Sequence, residues 1–177
     1  MNNTNRKPAF VIDVEADGGA VGLYSMISFG VVDLYDHSKT FFGQTAPLEG
    51  AWYNTKALEV CNVTRQEHES YPDPETTMVM FQRWLTENYN ADRYIMWSDN
   101  PAWDFQWVNY YSIRYLGTNP FGHSARRIGD LSAGFNRKPT DTSSWKKLRD
   151  TKHTHHPVDD ALGNAQALTK ILERMKK

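Results

Sequence analysis

Ala9-Phe10-Val11-Ile12-Asp13-Val14-Glu15 is the stretch on which the fold turns. Successive side chains of an extended backbone point to opposite faces, so Phe10, Ile12 and Val14 share one side while Val11, Asp13 and Glu15 share the other. Apolar residues on both sides mark a strand covered on both faces. The two carboxylates at its end would have Cα atoms about 6.6 Å apart, at a rise of about 3.3 Å per residue. Burying two like charges side by side is costly, and a shared cation relieves that cost. A strand end that reaches solvent carries Asp and Glu equally well, so the pair alone decides nothing.

Working outward, Asp17-Gly18-Gly19-Ala20 reads as a turn, residues 24–35 as a second strand, Asp36-His37 as another turn and residues 39–44 as a third strand, which gives an antiparallel meander. Residues 1–8 are polar, end at Pro8 and read as a flexible leader; residues 9–177 then supply one domain with one core. Beyond a loop over 47–54, residues 55–60 suit a short helix. Asp73-Pro74-Glu75 starts a longer one, with Asp as N-cap and Pro at the first position, followed by Met78, Phe81, Trp84, Leu85 and Tyr89 at helical spacing. Residues 93–98 suit a central strand, Asn100-Pro101 opens another helix, and residues 126–130 suit a brief strand. A polar, loop-rich stretch over 136–154 precedes a closing helix over 157–175, buried through Ala161, Ala165, Leu168 and Leu172. A meander followed by alternating helices and strands predicts an α/β fold with a mixed sheet covered by helices.

Composition narrows the function classes. Hydrophobic residues make up 40% and charged residues 23%, the balance of an ordinary globular protein. Apolar runs such as 10–14 and 26–32 are too short to cross a membrane, residues 1–7 hold no apolar signal core, and the lone Cys61 cannot form an internal disulfide. The expected location is the cytoplasm, away from membranes. A net charge of −1 gives no global attraction for nucleic acid, although a local pair of divalent ions would supply one.

Two further constellations join Asp13-Val14-Glu15. Asp104 follows Asn100-Pro101-Ala102-Trp103; in a helix begun at Pro101 it shares a face with Val108, Tyr111 and Tyr115 and is aimed at the core. The helix dipole favours an acid in the first turn even without a metal. His155-His156-Pro157-Val158-Asp159-Asp160 sets a histidine and a carboxylate five residues apart at the next helix start, where they can face one cleft. The same residues suit a solvated loop and ordinary dipole partners.

In chain order, D-x-E, N-x-x-x-D and H-x-x-x-x-D resemble the motifs of the DEDDh 3′-5′ exonucleases over about residues 9–172. The resemblance implies a ribonuclease H-like fold: a five-stranded mixed sheet, three strands in an antiparallel meander plus parallel strands, flanked by helices. It implies that Asp13, Glu15, Asp104 and Asp160 hold two Mg²⁺ or Mn²⁺ ions, that His155 is the general base, and that single-stranded 3′ ends lose nucleoside 5′-monophosphates. An all-oxygen ligand set suits these ions. Met96-Trp97-Ser98-Asp99-Asn100 leading into Trp103-Asp104-Phe105 is similar to the small bacterial and phage exoribonucleases related to a mycobacterial enzyme, which implies RNA ahead of DNA as substrate. Exodeoxyribonuclease activity on the same site is the alternative, and a catalytically silent nucleic-acid-binding module a further one. Relatives that pair also admit a homodimer.

The chain departs from the family pattern at Pro157, where Ala is usual, and at Asp99-Asn100, where a glycine-bearing approach is usual. His156 rivals His155, and the family spacing of five selects His155. Tyr24 and Trp103 are candidates for stacking on a base, and Arg126, Arg127, Lys146, Lys147 and Arg149 for phosphate contacts or a solvated loop. A phosphatase reading, from the likeness of Asp13-Val14-Glu15 to D-x-D, leaves Asp104 and His155 without roles.

Overall fold

The structure, a computed structural model, describes residues 6–176. Five strands, β1 (Ala9–Ala16), β2 (Met26–Asp33), β3 (Thr40–Gln44), β4 (Ile95–Ser98) and β5 (Arg126–Arg127), form one sheet in the order β3-β2-β1-β4-β5. The first three are antiparallel, whereas β4 runs parallel to β1 and to β5. This is the five-stranded mixed sheet, an antiparallel meander plus parallel strands, that the resemblance implies. Among the described residues six α-helices accompany it: α1 (Thr55–Val60), α2 (Arg65–Glu69), α3 (Pro74–Asn88), α4 (Pro101–Leu116), α5 (Ile128–Phe135) and α6 (Pro157–Arg174).

The alternation in β1 divides the core into two layers. Phe10, Ile12 and Val14 pack with Phe81 of α3 and with Trp107 and Tyr111 of α4. Ala9 and Val11 pack on the opposite side with Ala161, Ala165 and Leu168 of α6. Asp13 and Glu15 share that second face, at the end where α6 begins. The small residues of α6 let it lie close to the sheet, and Gly30 of β2 takes the closest approach: a Cβ there would lie 2.3 Å from the Pro157 carbonyl carbon. Gly30 stands opposite Asp13 in the β1–β2 register. The start of α6 is thereby fixed beside the two carboxylates, with Pro157 as its first residue, where a missing N–H costs nothing.

Several expected boundaries move. The second strand begins at Met26 because Ser25 is held in a turn, its N–H donating to Asp17 Oδ1 at 2.6 Å. The fourth begins at Ile95 and the closing helix ends at Arg174. Helix α2, capped by Thr64, lies in a stretch for which the sequence suggested no element. The strand expected over 126–130 ends after Arg127, and α5 takes over. Two glycines in eight residues disguise that helix, yet Gly129 is needed there, since a Cβ would lie 2.4 Å from the Thr142 carbonyl oxygen. A short 3-10 helix, Ser144–Leu148, interrupts the polar stretch and buries Trp145. Of the expected leader, residues 1–5 lie outside the described residues; Pro8 accepts a hydrogen bond from Ile95 N–H at 3.0 Å.

Candidate active site

β4 pairs with β1 only along Ala9 to Val11. Further along the same edge, the first turn of α4 takes the strand's place. Val14 N–H donates to Asp104 Oδ1 at 3.0 Å, and the Trp103 indole N–H donates to the Val14 carbonyl at 2.9 Å. Asp104 is also bonded by the Ser98 hydroxyl at the end of β4. It is thus locked to the residue between Asp13 and Glu15, buried at 3% exposure, and its carboxyl is pushed up to about 7, chiefly by that burial.

Oxygens of Asp13, Glu15 and Asp160 approach within 4.8 Å of one another. Asp104 is not part of this trio, but its charge acts on Asp13. The Asp13 carboxyl is raised well above its ordinary value, first by burial and then by the charges of Asp104, Glu15 and Asp160; Arg149 opposes the shift. Burial also raises Glu15, offset by the Cys61 thiol, which donates to Glu15 Oε2 at 3.2 Å, and by His155. Asp160, in the first turn of α6, accepts from Thr154 N–H at 2.9 Å and His155 N–H at 3.0 Å. Such a cluster of like charges with oxygen donors fits hard divalent cations such as Mg²⁺ or Mn²⁺.

Of the three histidines of the lead-in loop, His153 and His155 lie together and His156 lies apart. His155, at a left-handed φ of 59°, holds Nδ1 3.7 Å from Glu15 Oε1 and keeps an exposed ring. His156 turns the other way, its ring 4.9 Å from that of Phe42 and its Nδ1 3.9 Å from Asp159 Oδ2. His153 Nδ1 lies 2.8 Å from Asp160 Oδ2.

Both departures from the family pattern have local partners. Pro157 starts α6 over Gly30, and Asp99 pairs with Lys146 at 2.5 Å and with Arg149 at 3.6 Å. Arg127 Nε donates to the Asp99 carbonyl, and Arg126 lies over the Trp97 ring at 5.3 Å. Of the aromatic candidates, Trp103 uses its N–H within the fold. The ring of Tyr24 covers Gly18 and meets Trp52 edge to face at 6.2 Å. Sequence reasoning missed Cys61, whose contact spans 46 residues, Ser98, whose bond crosses from the end of β4 to the first turn of α4, and His153, which lies on an irregular loop. It also missed the exposed Leu23, Trp52 and Tyr53. Trp52 N–H donates to the Leu23 carbonyl, and Asn54 N–H to the Asp17 carbonyl, which ties this apolar patch to the chain two residues beyond Glu15.

Compared with known proteins, the chain matches no family model. It is 30% identical over 165 residues to an Escherichia coli protein named 3′-5′ DNA exonuclease Cap18, with 92% of this chain and 85% of that one covered. Among solved structures, the nuclease domain of 3′hExo, a DEDDh family member bound to rAMP, superposes with a TM-score of 0.76 at 13% identity, covering 97% of this chain and 94% of that one. E. coli exonuclease I in complex with a dA16 oligonucleotide gives a TM-score of 0.73 at 11% identity, covering 96% of this chain and 42% of that one.

Proposed function

Because the chain belongs to the DEDDh 3′-5′ exonucleases of the ribonuclease H-like fold, we propose that it hydrolyses single-stranded 3′ ends, releasing nucleoside 5′-monophosphates. The observation that carries this reading is the convergence of Asp13, Glu15 and Asp160 within 4.8 Å, with His155 at their edge. Asp13, Glu15 and Asp160 would hold one divalent ion, and Asp104, directly or through water, would support a second with Asp13. When bound, such a pair of Mg²⁺ or Mn²⁺ ions activates water and stabilises the leaving 3′ oxygen.

The protein's own groups carry the rest. His155 accepts the proton of the attacking water; an imidazole is suited to that task near neutral pH, and its exposed ring can release the proton to solvent. Glu15, 3.7 Å from His155 Nδ1, favours the charged imidazole that results. Ser98 and Val14 hold Asp104 still, and Cys61 orients Glu15. Leu23, Trp52 and Tyr53, with Tyr24 behind Trp52, offer the terminal nucleotide a stacking surface.

For the sugar, DNA is the first reading, supported by the name of the E. coli relative at 30% identity. RNA is the second, supported by the likeness of Met96-Trp97-Ser98-Asp99-Asn100 to the small exoribonucleases. No helix among the described residues is long and apolar enough to cross a membrane. We place the enzyme in the cytoplasm and admit a homodimer, which cell fractionation and light scattering would check. The test of function incubates matched 5′-labelled DNA and RNA oligomers with and without Mg²⁺, using wild type and Asp13→Ala. Stepwise shortening that needs both Mg²⁺ and Asp13 is expected. Equal shortening by both proteins, or none by either, sinks the proposal, and the ratio of the two wild-type rates decides the sugar.

A further inference from the structure

His153 has no part in the hydrolysis proposed above, yet it is built into the same corner. One donor atom each of His153, His155 and Asp160 lies within 4.8 Å of the other two. The rings of His153 and His155 meet edge to face with centroids 4.3 Å apart. This is a donor set of a different kind from the carboxylate trio. Imidazole nitrogen is a borderline ligand that suits zinc-class ions, whereas Mg²⁺ prefers oxygen throughout.

Geometry permits the ion. Tetrahedral zinc with bonds of about 2.0 to 2.2 Å sets its donors about 3.3 Å apart. The His153–Asp160 pair at 2.8 Å must open slightly, and His155 must draw inward. Both histidine side chains are more than two-fifths exposed and sit on the loop before α6, so they can move. Asp160 is the fixed member, anchored by the backbone N–H groups of Thr154 and His155. Three protein ligands leave one position open, the pattern of an exchangeable zinc site rather than a closed structural one.

We infer that His153, His155 and Asp160 bind a zinc-class divalent cation, and that this ion switches the exonuclease off by withdrawing His155 and Asp160 from the Mg²⁺-loaded site. The binding stands on the cluster alone; the inhibition rests on the function proposed above. Zinc and magnesium then compete for Asp160, the one residue that the two donor sets share.

The experiment measures Zn²⁺ binding by calorimetry on the whole chain with Mg²⁺ present, for wild type, His153→Ala and Asp13→Asn. It also follows 3′-end hydrolysis in Mg²⁺ as Zn²⁺ is added, each active protein being compared with its own zinc-free rate. Asp13→Asn should bind zinc at least as tightly as wild type, because weaker Mg²⁺ binding frees Asp160, whereas His153→Ala should bind it at least about tenfold more weakly than wild type and need correspondingly more zinc for half-inhibition. Co²⁺ in place of Zn²⁺ should give visible bands of nitrogen-ligated tetrahedral cobalt in wild type and lose them in His153→Ala. If zinc binding survives His153→Ala but fails in Asp13→Asn, the ion lies among the carboxylates and the proposal is overturned. If wild type hydrolyses nothing in Mg²⁺ alone, the proposed function fails, and the calorimetric arm still decides the zinc site.

Discussion

Replacing Gly30 with Ala adds one methyl group on the sheet face opposite the cleft's helix. That methyl would lie 2.3 Å from the Pro157 carbonyl carbon and oxygen and 2.4 Å from Val158 N, all backbone atoms that no rotamer change can move. Ordinary Cβ contacts begin near 3.4 Å, so the first turn of α6 must withdraw from β2 by about 1 Å in a close-packed interior. Asp160 rides on that turn and His155 on the loop that leads into it, whereas Asp13, opposite Gly30 in the ladder, stays with the sheet. The trio of oxygens therefore opens by a similar distance. Overpacking of this kind costs roughly 1–3 kcal/mol of stability, and a 1 Å misplacement of reacting groups costs on the order of 10²-fold in rate. The assay is kcat on a 5′-labelled single strand at saturating Mg²⁺, beside a thermal melt and near-ultraviolet circular dichroism of the same preparation. A folded Gly30→Ala protein with wild-type kcat would refute the claim that Gly30 sets the position of α6 in the cleft.

Asp17 is wholly buried, and its carboxyl is raised from 3.8 to about 6, chiefly by burial. The folded state therefore binds its proton more tightly than the unfolded one. That contribution to stability is full below about pH 4 and is lost as pH rises through 6. Asp17→Asn keeps an acceptor for Ser25 N–H, so it should gain up to about 3 kcal/mol on wild type at pH 8 and much less at pH 5, by urea unfolding; a gap that does not widen with pH would contradict this. His155→Ala should lower kcat by about 10² to 10⁴-fold, while His156→Ala, whose ring lies on Phe42, should stay near wild type in single-turnover rates. Equal losses would mean that the two imidazoles are misassigned. Trp52→Ala should raise KM, with kcat little changed, by the roughly tenfold that one stacked base is worth; an unchanged KM on a single strand would remove the apolar patch from the binding surface.

What was legible in the sequence depended on regular backbone. Strand alternation put Asp13 and Glu15 on one face, and helical spacing aimed Asp104 inward; both hold in the structure because β1 and α4 are regular there. The lead-in to α6 obeys no such period. His155 adopts a left-handed backbone, and that turn, rather than spacing, sends neighbouring imidazoles to opposite sides. Cys61 reaches Glu15 across 46 residues, a contact that no local pattern encodes. Helix α5 was hidden by glycines whose reason, the close pass of Thr142 at Gly129, is tertiary.

The hydrogen bonds around the four carboxylates are distributed unequally, and the inequality bears on their proposed roles. Asp104 spends both oxygens on Val14 and Ser98. Asp160 spends both on the backbone of Thr154 and His155. Glu15 gives one oxygen to Cys61 and turns the other toward His155. These bonds fix the three side chains from behind, and Asp160 Oδ2 is further engaged by His153 Nδ1 at 2.8 Å. Among the described residues, no hydrogen bond ties the Asp13 side chain; its neighbours act on it through charge, three carboxylates against one guanidinium. A half-buried carboxylate so surrounded is destabilised until it takes a proton or a cation. In the proposed site Asp13 is therefore the side chain with the most lone pairs free, the one that would bridge two ions, while its three neighbours would supply the rigid frame around them.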